Sequence, residues 1–304
     1  MTPVSINGGD TVFVLISAAL VLLMTPGLAF FYAGMVRGKN VVNTIMLSFA
    51  AIALVSIQWI FVGYSLSFAP GAAFAPGWVG TLGWAGLNGV ELTPNPDYAP
   101  TIPHMAFMIF QMMFAIITPA LISGSVVERV KFTTFAIFTL LWSTLVYDTV
   151  AHWVWSTDGW LRALGALDFA GGAVVHVTAG VSGLVAALVL GARRDHKTED
   201  LQPHNVPFVM LGASLLWFGW FGFNAGSSLS INGLATLAFV TTHVAACSAT
   251  LAWMALEWWR EGRVTVVGAV SGTISGLVAI TPAAGFVSPL SALAIGAIAA
   301  ACCY

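Results

Sequence analysis

TVFVLISAALVLLMTPGLAFFYAGM, residues 11–35, runs for twenty-five residues without a charged side chain. A helix rises 1.5 Å per residue and a bilayer core is about 30 Å thick, so about 20 apolar residues suffice to cross it. The same signature recurs outward along the chain, over residues 41–68, 103–127, 132–155, 169–191, 206–226, 233–259 and 265–285. A ninth run starts near Pro289 and is still apolar at Tyr304. A helix stopping inside hydrocarbon would leave its last carbonyls unpaired. The ending AIAAACCY (297–304) therefore reads as an interrupted span. The expectation is an all-α polytopic membrane protein with eight spans and part of a ninth, forming one domain over residues 1–304 that is incomplete at its C-terminus.

Composition agrees. The chain is 59% hydrophobic and 7% charged, against about 25% charged in a soluble domain, so its solvent is lipid. A net charge of −2 argues against nucleic acid or an acidic partner surface. Cys247, Cys302 and Cys303 lie in apolar runs without metal-type spacing and read as small buried hydrophobes. The start, MTPVSINGGD, lacks the basic region of a secretory signal, so the first run is read as a mature helix.

Nine of the ten basic residues fall on alternate connections: Arg37 and Lys39, Arg129 and Lys131, Arg193, Arg194 and Lys197, and Arg260 and Arg263. Only Arg162 lies on the other side. The positive-inside bias makes the basic loops cytoplasmic and the N-terminus external, in a multi-pass protein of the cell membrane. The longest connection, 69–102, is then external. Its Gly, Pro and Trp content suits either a vestibule wall or a floppy loop.

Few ionisable groups lie deep in the runs: Asp148, His152, Asp168, His176 and His243. Such groups are costly in lipid and usually face a pore or another protein group. They form no metal-ligand cluster and no nucleophile–base pair, so neither a metal, a cofactor nor an enzyme is expected. GALDFAGGAVVHVTAG, residues 165–180, is the richest stretch. Asp168 precedes a helix and can cap its free N–H groups, which alone would account for it. Gly172, His176 and Gly180 recur every four residues, so a neighbouring helix could approach that face closely. The imidazole is either a proton-handling pore group or a buried histidine bonded to a carbonyl. Phe107, Phe110 and Phe114 form a stripe on one helix, which on its own means packing or lipid contact. WFGWFGFNAGSS (217–228), Trp153 and Trp155 sit where an interfacial aromatic belt would. Asp148 and His152, four apart and able to bond, and His243 read as structural. His104, His196 and His204 read as accessible loop residues.

Together these segments resemble the Amt/Mep/Rh family of ammonium transporters, on its Amt branch. The resemblance rests on TPGLAFFYAGMVRGKN, FQMMFA, ERVKF, AHWVW, GALDFAGGAVVH, PHNVP, WFGWFGFNAGS and ITPAAGF, in family order from residue 25 to 286. It implies an eleven-span bundle with an inverted repeat, which is not legible in the sequence itself. It also implies a homotrimer with one ammonium/ammonia pore per subunit and a cytoplasmic PII-type regulatory protein as a partner. By matching motifs, Trp155, Phe110 and Ser227 correspond to an outer recruitment site. Phe114 and Phe223 correspond to the gate below it, Asp168 to the acidic residue of the site, and His176 to the first of two pore histidines. The motif of the second histidine, G-x-H-G-x-x-G, does not occur in the chain, and Thr149 stands where relatives often have proline. Transport is one functional reading; an ammonium-sensing membrane domain of a signalling protein such as a histidine kinase is the other. A general water or gas pore would pass unrelated solutes equally.

Overall fold

The computed structural model describes residues 5–193 and 202–304. Its helices are α1 (Gly8–Met35), α2 (Gly38–Phe68), α3 (His104–Val126), α4 (132–155), α5 (Gly172–Leu190), α6 (Val206–Gly226), α7 (Gly233–Glu261), α8 (Val266–Ile280) and α9 (Pro289–Cys303). Side chains that prefer N-cap positions mark where several begin. Asn7, Asn205, Asn232, Thr265 and Ser288 each accept an N–H from the first turn, at 2.9–3.2 Å.

Among the described residues, α1 to α7 are long and apolar enough to cross a membrane, whereas α8 and α9 have 15 residues each. Fifteen residues rise only about 22 Å. The expected eighth span, 265–285, is thus shortened. Pro282 disfavours helix in the residue before it, and the chain turns over residues 281–286. The fifth span likewise starts at Gly172 and not at 169, because the residues before it form the cap described below.

In lipid, close packing holds helices together, since the tails are as apolar as leucine. α1 and α6 show how. Gly212, Gly219 and Gly226 recur every seven residues along α6 and face α1. A Cβ on Gly219 would stand 2.6 Å from the Leu20 carbonyl oxygen, and one on Gly226 2.5 Å from Ser17 Cβ. α3 is the central helix; 78% of its most apolar window is buried, and it touches α1, α2 and α5.

The connection over 69–102 is a built wall. Pro94–Asn95 pairs antiparallel with Ala99–Pro103, and Trp84 stacks on Tyr64 at 5.7 Å. At the opposite end of the bundle three loops meet on Glu128. Its carboxylate takes a 2.9 Å ion pair from Arg37, a 2.6 Å bond from Asn40 and a 3.4 Å ion pair from Arg193. Burial alone would raise the Glu128 pKa, but these donors and the Arg193 charge outweigh it and hold the carboxyl below its ordinary value. Arg194, His196 and Lys197 lie outside the described residues.

Several histidine and carboxylate expectations are corrected. His104 is buried and meets Tyr64 Oη at 2.5 Å, because it opens α3 under the 69–102 wall. His204, exposed as expected, has Nδ1 3.1 Å from the Val36 carbonyl. Asp148 and His152 do not bond to each other. Each faces α2 instead: Asp148 accepts from Gln58 Nε2 at 2.6 Å, and His152 Nδ1 lies 3.1 Å from the Ser67 carbonyl. Thr149 turns its hydroxyl back onto the Leu145 carbonyl.

Candidate functional site

Between the 69–102 wall and the ends of α4 and α6 opens a cavity of about 230 Å³, whose lining includes Tyr98, Phe107, Phe114, Trp155, Asp168 and Ser227. Trp155 is the last residue of α4, and Ser227 follows the last of α6. Asp97, Gln111 and Arg162 line the cavity too, and Ser227 and Trp155 are already oriented by the protein. The Ser227 hydroxyl donates to the Phe223 carbonyl at 2.8 Å, which leaves its lone pairs to accept. Trp155 Nε1–H donates to the Asp168 carbonyl at 3.2 Å, which fixes the indole against the start of α5.

Asp168 is held more tightly still. One carboxylate oxygen accepts the N–H groups of Gly171 and Gly172 at 2.9 and 2.6 Å, and the other those of Ala173 and Val174 at 2.9 and 3.0 Å. Four donors of a helix start are thereby satisfied by one negative charge at the positive end of the dipole. The turn demands Gly171, whose φ of 111° is open to few other residues. The first turn of α5, Gly172–Val177, is π-helical, with His176 N bonded to Gly171 O at 3.0 Å. π-turns often mark functional sites.

Below the cavity the aromatic rings close ranks. Trp155 meets Phe114 edge-on at 6.0 Å, and Phe114 meets Phe223 at 4.3 Å, the floor expected of these two residues. His176 stacks on the far side, 5.7 Å from Phe223 and 5.4 Å from Trp220. Here lies a second cavity of about 60 Å³, lined by Leu28, Ile117, Leu121, Val278 and other apolar groups. Its polar lining is almost spent: Trp220 Nε1 donates to Thr281 Oγ1 and Tyr32 Oη to the Leu121 carbonyl, both at 2.9 Å. His176 Nε2 is buried without a hydrogen-bond partner.

Two expectations change at this point. Phe110 does not line the outer cavity. It is 1% exposed and packs edge-on behind Phe114 at 4.9 Å, closed off by the backbone at Gly226. Phe107, one turn earlier on the same stripe, lines the cavity instead, stacked at 5.3 Å on Tyr98. The stripe could have suggested Phe107; nothing in the sequence pointed to Tyr98. The face shared by Gly172, His176 and Gly180 has a close neighbour at one end only. A Cβ on Gly172 would strike Pro282, whereas one on Gly180 would meet nothing within 4 Å. His176 lies in the first turn of α5, which begins only at Gly172. Its ring contacts, not helical rise, put it behind the aromatic pair. His243 lies far from this line, exposed and stacked on Trp217.

Residues 12–304 match the profile of the Ammonium Transporter Family. The chain belongs to that family. It is 54% identical over 296 residues to the ammonium transporter of Bacillus subtilis strain 168, covering 97% of this chain and 71% of the relative. Among solved structures, Saccharomyces cerevisiae Mep2 superposes with a TM-score of 0.91 at 40% identity, over 97% of this chain and 66% of that one. A sensor Amt protein superposes with a TM-score of 0.87 at 31% identity, over 95% of this chain and 72% of that one. The chain thus spans 66–72% of the length of these three proteins. Membership of the family, a family of channels and not of enzymes, fixes the framework in which the two cavities are read.

Proposed function

We propose that the chain forms an ammonium/ammonia pathway across the membrane: the outer cavity recruits the cation, the proton is given up, and ammonia passes the Phe114–Phe223 pair to His176. One observation carries this reading. A cavity with aromatic faces and a hydroxyl acceptor is separated by a single 4.3 Å ring contact from an apolar cavity whose imidazole nitrogen is unpartnered. Aromatic faces attract a cation by about 0.5–2 kcal/mol each, and Ser227 Oγ can accept one N–H. Carrying the whole ion into the lower cavity would cost far more. A space of about 60 Å³ holds ammonia or a water or two, since one water fills about 30 Å³ in the liquid. Neutral ammonia is therefore the species that crosses. K⁺ cannot shed a proton and stays outside. Asp168 never touches the ion; both its oxygens are spent on α5, so it fixes the geometry and the negative potential of the site.

The basic loops around Glu128 are assigned to the cytoplasm of a cell (plasma or inner) membrane, with the N-terminus outside and the outer cavity facing the medium. The family resemblance supports a homotrimer and a PII-type regulator at the cytoplasmic face. Transport is favoured over sensing because the curated relatives are named as transporters. The test is ammonia uptake into proteoliposomes together with ammonium-dependent fluorescence of Trp155. Uptake that ignores ammonium but passes unrelated solutes equally would reduce the chain to a general pore. A Trp155 signal without uptake would leave a sensor.

A further inference from the structure

Arg162 is the one basic residue that the sequence places on the external connections, and it lines the outer cavity. A fixed positive charge at the mouth of a cation site works against recruitment, so its presence asks for a physical reason. The short helix that carries it, Trp160–Ala163, is held in place. Trp160 N–H donates to the Gly77 carbonyl at 3.1 Å, and the Trp160 ring stacks on Trp78 at 5.3 Å. The guanidinium is pinned too, one Nη donating to the Trp155 carbonyl at 2.7 Å. Arginine keeps its charge at any physiological pH and has no lone pair to accept an ammonium N–H. Arg162 can therefore act on a cation only by repulsion.

Asp97 lines the same cavity from the 69–102 wall, in the turn between the paired segments Pro94–Asn95 and Ala99–Pro103. Both residues are exposed, and among the described residues no ion pair joins them. Asp168 is the third charged lining residue, and its carboxylate is met by the four N–H groups of α5. The mouth therefore presents one negative and one positive charge. The aromatic faces attract any cation, and a dication more strongly than ammonium, because the attraction is electrostatic. With Asp97 alone at the mouth, a doubly charged nitrogen compound would outcompete ammonium on both counts. Arg162 offsets that bias: its repulsion counts once against ammonium, twice against a dication and not at all against ammonia.

We propose that Arg162 is the valence filter of the outer cavity, balancing Asp97 so that singly charged ammonium is recruited and doubly charged cations are turned away. The inference rests on the transport reading above and narrows its substrate class to a monovalent nitrogen cation. Arg162 touches the Trp155 carbonyl and acts on the ion through its field. A space of about 230 Å³ is about 8 Å across. At about 8 Å, one unit of like charge changes an affinity by about two- to thirtyfold, between the dielectric of water and that of a protein surface. The energy is proportional to the charge of the ligand, so the factor for a dication is the square of the factor for ammonium. Exposed charges are screened over about 10 Å at 0.1 M salt, so both factors shrink as ionic strength rises.

The experiment uses the whole chain in proteoliposomes at low ionic strength. The probes are ammonium chloride and ethane-1,2-diammonium chloride, in mildly acidic buffer that keeps both nitrogens of the second charged. Trp155 fluorescence titrations give the two affinities. In Arg162→Gln the ammonium affinity should rise by about two- to thirtyfold, and the dication affinity by the square of the measured factor. The dication should then inhibit ammonium uptake, which in wild type it leaves nearly unchanged. Arg162→Lys, which keeps the charge, should restore the wild-type ratio of the two affinities. Asp97→Asn should shift both affinities the other way, the dication again by the square. Added salt should shrink every one of these differences. Equal shifts of the two probes in Arg162→Gln, or no shift in either, would overturn the proposal and leave Arg162 as the anchor of the Trp155 carbonyl. A wild type with neither a Trp155 response nor uptake would instead remove the transport reading beneath it. Should Arg162→Gln lower the folded yield, Arg162→Met decides by the same ratio.

Discussion

Replacing Asp168 with alanine removes one carboxylate and strands four backbone donors, those of Gly171, Gly172, Ala173 and Val174. An ordinary N-cap lost to alanine costs about 0.5–2 kcal/mol. A buried donor left without a partner costs about 1–3 kcal/mol. Because the first turn borders the outer cavity, water can re-bond some of the four, so at least about 2 kcal/mol of local stability is lost. That is about a thirtyfold rise in the open population of the turn, at 1.4 kcal/mol per tenfold. Asp168→Asn separates shape from charge. Its one carbonyl oxygen can still serve two of the four donors, while its NH₂ meets the other two head-on, so it falls between wild type and alanine. Hydrogen exchange of the four amides by mass spectrometry reads the effect directly. The Trp155 titration reads its consequence, since the Asp168 carbonyl anchors the indole. Exchange in Asp168→Ala as slow as in wild type, with near-normal uptake, would refute the reasoning and remove Asp168 from the site.

Gly219→Leu should separate α1 from α6 and cut the yield of folded, monodisperse protein on size-exclusion chromatography. Gly233→Leu, whose Cβ would meet open space, should not. Glu128→Ala should cost about 3 kcal/mol by removing the buried carboxylate that pairs with Arg37 and Arg193, read as a lowered midpoint of thermal unfolding in detergent. The pH sign follows from the depressed pKa of Glu128: its contribution is complete above the ordinary carboxylate pKa and is lost as pH falls through the lower folded value. The wild-type midpoint should therefore drop in acid and that of Glu128→Ala should drop less. In His176→Ala, proton-coupled current should disappear while ammonia uptake survives; unchanged current and ion selectivity would leave His176 as packing.

Most of the helical framework was legible because a spanning helix must be a long apolar run, and such runs can be counted without any partner. The cap by Asp168 was legible for the same local reason: a carboxylate just ahead of a helix has four N–H groups within reach. What failed was information held between segments. Phe110 and Phe107 occupy one stripe, and only the position of α6, pressed close by its glycines, decides that Phe110 is covered and Phe107 open. His104 looked accessible because it borders a loop, yet that loop folds back over it and Tyr64 takes its ring nitrogen. The i,i+4 reading of Asp148 and His152 assumed a partner on the same helix. Both found one on α2, at a level where α2 (Trp59–Gly63) and α4 (Ser143–Tyr147) each carry a π-turn. A π-turn inserts a residue into the helical repeat, and a strict 3.6-residue periodicity cannot register it.

Three of the outer cavity's polar residues, Asp168, Trp155 and Ser227, are largely used up within the protein; Asp97, Gln111 and Arg162 also line it. Asp168 gives its carboxylate to four N–H groups and its carbonyl to Trp155. Trp155 has then spent its one donor, and Ser227 has spent its hydrogen on Phe223. These three residues offer an incoming molecule no hydrogen-bond donor, only a hydroxyl lone pair and the faces of rings. An anion finds no partner among them; a small cation with its own donors does. The return is modest, about 0.5–2 kcal/mol per ring and about 1.5–3 kcal/mol for one charge-assisted hydrogen bond. Desolvating the ion takes much of that return back, which keeps the holding near a millimolar affinity of about 4 kcal/mol. Weak holding suits a conducting site, where binding must be favourable enough for entry and slack enough for departure. Asp168, turned away by its four bonds, adds no carboxylate of its own to hold the cation more tightly.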